Sequence, residues 1–146
     1  AGIMGCPDLF LIGKLAMELP AIPRLRHLGF VSEEDKRAAM AGAQALICPS
    51  PYESLSITLL EAMSFGTPVL ASSRSDVLVD HCHKSRAGLA YGNPEEFTES
   101  VRLMVLNEGL RRALGENGKR YALTEFSWES VLDRLVRQID AAAAKA

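Results

Sequence analysis

The sequence predicts an α/β fold, a three-layer sandwich on a parallel Rossmann-like sheet, and three observations carry that prediction. Apolar runs of strand length recur along the chain, segments with helix start signals lie between them, and no hairpin turn dipeptide joins any two. Strands that alternate with helices pair in parallel through right-handed crossovers. The 146 residues suit a single domain. Hydrophobic residues at 48% and charged residues at 23% are globular proportions, which excludes disordered and fibrous readings.

The elements follow in order. Asp8 to Gly13 is a short apolar run, and Arg26 to Val31 is a second with aromatic and β-branched content; both read as strands. Pro20 and Pro23 exclude a long helix between them. Ser32 followed by Glu33, Glu34 and Asp35 is a capped, acidic first turn, so a helix is expected from Glu33 to Ala43. Ala45 to Cys48 is a buried strand closed by Pro49 and Pro51, and Ile57 to Phe65 a helix stopped by Gly66. Pro68 to Ala71 continues as a strand, Asp76 to Cys82 as a helix, and Ala87 to Tyr91 as a last strand. Asn93, Pro94 and Glu96 supply a cap, a first-turn proline and a capping-box acid for a helix with an apolar stripe at Leu103, Val105 and Leu106. A helix over Leu110 to Leu123 and another from Trp128, capped by Ser127, complete the chain.

Charge and cysteine content narrow the function. A net charge of −2 does not suit a surface that neutralises phosphate backbones, so no nucleic-acid partner is expected. Cys6, Cys48 and Cys82 are odd in number and far apart, which offers neither a disulfide framework nor a zinc knuckle and suits a reducing compartment. No apolar run approaches a bilayer span and no secretory signal opens the chain. The expectation is a cytoplasmic domain with no transmembrane segment, cut from a longer protein.

Ligands of parallel α/β sheets sit beyond the carboxyl ends of the strands, which points to Lys14, Val31 to Glu33, Pro49 to Ile57 and Ser72 to Ser75. Glu53 lies in the loop after the third strand, and Glu61 eight positions later inside the following helix. Ser54 or Ser56 can cap that helix, whose first amides, around Leu55 to Thr58, favour an anion such as phosphate. A carboxylate beside a phosphate is best used on hydroxyls: Glu61 on a vicinal diol such as ribose, Glu53 on a sugar.

Here the residues resemble a known family. Pro49, Ser50 and Glu53, then Glu61, Ala62 and Met63, then Gly66 to Val69, Ala71 and Ser72 are similar to the E-x7-E pattern of family 4 (group 1) retaining glycosyltransferases. The likeness continues at Leu28 to Val31, Ala87 to Leu89, Glu96, Phe97 and Phe126 to Trp128. The resemblance implies one half of a GT-B fold: residues 1–146 as a single C-terminal donor-binding domain, truncated at its N-terminus, with the acceptor domain absent. It implies that the amides of Ser54, Leu55, Ser56, Ile57 and Thr58 hold the donor diphosphate, that Glu61 binds ribose, and that Glu53 is the catalytic contact to the donor sugar. Phe30, Val31, Glu33 and Lys36 would flank the base. No metal or other cofactor is implied, because amides and an Arg and a Lys upstream of this chain would stabilise the leaving diphosphate. The implied partners are a nucleotide sugar and the N-terminal acceptor domain, through which the enzyme would reach a membrane surface peripherally. The isolated chain is then expected to be inactive. Many members carry Gly at the positions of Ser54 and Ser56, and a Gly pair with a downstream acid where this chain has Ser72 to Val77 with Asp76.

Rival readings are weaker. A non-catalytic nucleotide or sugar-nucleotide sensing module would keep the same crevice. A phosphorylated receiver needs strand-end acids where Gly13, Lys14, Pro49 and Ser50 stand. His81, Cys82 and His83 do not share one helix face, so the histidines read as surface residues and not as metal ligands. Cys48 reads as a small core residue, and Phe126 with Trp128 as packing for the last helix.

Overall fold

The computed structural model describes residues 7–144. The order is β1 (Leu9–Ile12), β2 (Leu25–Gly29), α1 (Glu33–Gly42), β3 (Leu46–Cys48), α2 (Ile57–Ser64), β4 (Val69–Ser72), α3 (Asp76–Ser85), β5 (Gly88–Tyr91), α4 (Pro94–Leu106), α5 (Glu108–Phe126) and α6 (Trp128–Ala143). The α/β class is as the sequence predicts, and every described strand pair is parallel. The strands fall in two parts: β1 pairs with β2, and β3, β4 and β5 form a separate three-stranded sheet in that order. The physical basis is burial. All four residues of β4 are buried, whereas β1 and β2 keep most of theirs exposed, so burial does not force them into the same ladder.

The core is built by β3 to β5 with α2, α3 and α5, around Leu59, Met63, Val69, Ala71, Leu78, Cys82, Ala87 and Ala122. Glycine sets the approach of α5 to α2. Gly66 takes φ +80° to end α2, and a Cβ on Gly115 would stand 2.1 Å from the Gly66 carbonyl oxygen. Three helix starts follow the sequence signals, the Ser32 hydroxyl accepting from the Asp35 amide, Asn93 from Glu96 and Ser127 from Ser130, and Ser75 caps α3 likewise, accepting from Leu78. Asn107 caps α5 in the same way, accepting from Leu110, so that helix begins earlier than the sequence alone suggests.

Three local expectations are corrected. The buried residues of α4 are Ser100 and Met104, while Leu103 and Leu106 stay exposed; the burying face is set by contact with β5 and α5. Trp128 is 80% exposed and does not fasten α6, which buries none of its residues. Phe126 does pack, against the rings of His81 and Tyr121. The third correction is His81 itself, 6% exposed and hydrogen-bonded at both ring nitrogens, whereas His83 is exposed as expected. Leu78, His81, Cys82 and Ser85 fall at the i, i+3, i+4, i+7 spacing of a buried helix face, which is the signal that finds it. Cys6 lies outside the described residues.

Candidate functional site

Strand β3 delivers the chain to the sheet edge at Cys48, the prolines end it there, and a loop of eight residues leads to α2. Glu53 is half-buried in that loop. Its charge bears on Cys48, whose thiol is pushed up to about 12, by burial first and then by Cys82 and Glu53. Burial likewise raises Cys82 to about 11. Both thiols are buried in the core cluster, where cysteine packs as a small apolar residue.

Ser56 is the N-cap of α2, but it does not cap as expected. Its backbone is left-handed, at φ 59° and ψ 69°, and its hydroxyl makes no capping bond. Its carbonyl accepts from the amides of Leu59 and Leu60 and starts the helix. The Ile57 and Thr58 amides precede the first intrahelical bond, and with no capping bond from the Ser56 side chain they face outward as helix geometry leaves them. Ser54, Leu55, Ile57 and Thr58 are exposed, and Ser56 is buried at 8%.

Glu61 is one turn further along α2 and half-exposed. The Lys36 ammonium from α1 stands 3.4 Å from its Oε1 and 2.8 Å from Oε2 of Glu33. Lys36 is raised, first by its hydrogen bond to Glu33, and Glu33 is lowered, first by the same bond. Residues that the sequence assigns to base and to ribose are therefore one cluster, Glu33, Lys36 and Glu61. α1 is held to this edge from the other side by Thr67, whose buried hydroxyl donates to the Met40 carbonyl at 2.6 Å. Phe30 follows β2 and is 84% exposed, with Val31 half-buried beside it. Lys14 is exposed at the end of β1.

Two open grooves, of 440 and 610 Å³, lie elsewhere, along α3, α5 and α6 around Lys84, Tyr121 and Glu125, and none of the expected site residues lines them. Among the described residues there is no group of three or more His, Cys, Asp or Glu that could hold a metal. No helix of the described residues is long and apolar enough to cross a membrane.

The domain is thus parallel α/β, with α2 starting without a side-chain capping bond from Ser56, Glu53 in the loop before it and Glu61 one turn inside it. Residues 3–121 match the family described as glycosyl transferases group 1, and the chain belongs to it. It is 32% identical over 151 aligned residues to the MMP alpha-(1->4)-mannosyltransferase of Mycolicibacterium hassiacum, covering 94% of this chain and 36% of that protein. The crystal structure of WaaG, a glycosyltransferase involved in lipopolysaccharide biosynthesis, superposes with a TM-score of 0.68 at 26% identity, over 82% of this chain and 34% of that one. Sucrose-phosphate synthase from Thermosynechococcus elongatus gives 0.66 at 26% identity, over 82% and 31%. These neighbours share the GT-B class of glycosyltransferase architecture. The chain spans about a third of the length of the curated relatives it matches.

Proposed function

We propose that this domain binds the nucleotide-diphosphate sugar of a retaining glycosyltransferase that moves a hexose-type sugar onto an acceptor held by an N-terminal domain. The observation that carries the reading is the α2 start: outward amides at Ile57 and Thr58, Glu53 before them and Glu61 one turn beyond, on one strand-end edge. The diphosphate lies on those amides, which oppose the negative charge that grows on it as the sugar leaves. Glu61 accepts hydrogen bonds from the ribose diol. Lys36 shares that carboxylate at 3.4 Å in the free chain, and ribose binding competes with or reshapes this contact. Glu53 contacts the donor sugar, and Phe30 offers an exposed ring to the base. The reading uses no metal and no other cofactor, and it places the enzyme in the cytoplasm, meeting a membrane peripherally through its other domain. The mannosyltransferase name of the Mycolicibacterium relative supports a hexose donor.

Ligand-observed NMR of the chain against UDP, GDP, ADP and their sugar conjugates tests this. One diphosphate is expected to bind weakly, and Glu61→Ala is expected to remove the preference for ribose over deoxyribose nucleotides. Glu53→Gln is expected to alter binding of the sugar conjugate and not of the bare diphosphate. Binding that neither variant changes, or turnover by the isolated chain with an acceptor, would contradict the reading.

A further inference from the structure

The α2 start is held from behind by a residue that no expected site role includes. His81, on α3, puts Nε2 3.0 Å from the Leu55 carbonyl oxygen and Nδ1 3.0 Å from the Tyr121 hydroxyl on α5. A carbonyl only accepts, so Nε2 carries the proton and donates to it, and in the neutral ring Nδ1 accepts from Tyr121. The ring is held edge-on to Tyr121 and tilted against Phe126, with centroids 5.9 and 5.6 Å away. The Leu55 carbonyl sets its tautomer, and the Tyr121 and Phe126 side chains of α5 hold its position.

The Leu55 carbonyl and the Ser56 amide belong to one rigid peptide plane. A bond to that carbonyl therefore restrains ψ of Leu55 and φ of Ser56 together. Ser56 is the residue at φ 59°, a left-handed conformation that costs a non-glycine residue energy and persists where its surroundings fix it. Its own hydroxyl makes no capping bond that would do so. We infer that His81 is a positioning residue: through the Leu55 carbonyl it holds Ser56 left-handed and so aims the Ile57 and Thr58 amides at the donor diphosphate. The diphosphate is taken from the proposed function above, whereas the hold on the turn is independent of it.

Two measurements on the full chain separate the parts. In nitrogen–proton correlation spectra without ligand, the His81 ring is expected to show the Nε2–H tautomer, and His81→Phe is expected to shift the Ser56, Ile57 and Thr58 amides. Amides that stay in place would overturn the inference. The nucleoside diphosphate that binds wild type best is then expected to bind His81→Phe about tenfold more weakly, the size of one lost anchoring hydrogen bond. In a Ser56→Gly background, where glycine takes the left-handed turn unaided, that loss is expected to shrink to about threefold. Equal losses in both backgrounds would mean a general structural role and would overturn the positioning one. If His81→Phe does not fold, Tyr121→Phe removes only the hydroxyl that anchors Nδ1 of the ring and carries the same expectation at about threefold. If wild type binds none of UDP, GDP and ADP, the donor reading fails while the spectra still decide the role of His81.

Discussion

The β3–β5 sheet with α2, α3 and α5 is a packed interior, and the β1–β2 pair is a surface. Val69, Leu70 and Ala71 are buried in the first, while Leu9, Phe10, Ile12 and Leu28 are exposed in the second, although the strands of both are short and parallel. Apolar composition makes a strand in either place; burial depends on what the helices cover. The candidate site lies at the junction, with Glu53, Ser56 and Glu61 on elements of the packed region and Lys36 and Glu33 reaching in from α1. An edge made this way has a fixed half and a half that depends on a few tethers.

The fixed half is most sensitive where backbones touch. Gly115→Ala would place a Cβ 2.1 Å from the Gly66 carbonyl oxygen, and neither backbone can yield without opening α5 from α2. A loss of about 3 kcal/mol is expected in chemical denaturation, at the upper end of overpacking costs. Gly109→Ala in the same helix meets only the Asn107 side chain at 3.5 Å and is expected to be neutral or slightly stabilising, which separates contact from helix propensity. Equal effects would mean that helix propensity and not the close approach to Gly66 sets the loss. The tether of α1 comes next. Thr67→Val keeps the shape and deletes the hydroxyl that donates to Met40, whose carbonyl retains the Ala43 amide as a partner. About 1 kcal/mol is expected from the same denaturation curves.

The strands and helix caps were legible in the sequence because each depends on a few adjacent residues: apolar runs for β3 to β5, and Ser32, Asn93 and Ser127 for α1, α4 and α6. The spacing of Glu53 and Glu61 across a loop and a helix start was legible for the same reason. What depends on distant parts was not. The approach of Lys36 to Glu61 joins residues 25 apart, and the bond of His81 to Leu55 joins residues 26 apart, so both follow from how helices dock. The burying face of α4 turned on the same docking, which selected Ser100 and Met104 over the more apolar Leu103 and Leu106. Ser56 in a left-handed turn was hidden because serine does not advertise that conformation as glycine does.

The smallest effect is expected in the exposed pair, and it is the most direct test of the comparison. Phe10→Thr keeps a strand-forming residue in β1 while removing a ring that is already 51% exposed. Its partner across the pair, Arg26, is exposed as well, so little packing is lost. A change within about 0.5 kcal/mol is expected, as for surface substitutions away from caps and cores. A loss of several kcal/mol would show that the ring is covered in solution, and the two-region description would then give way to one continuous core reaching β1.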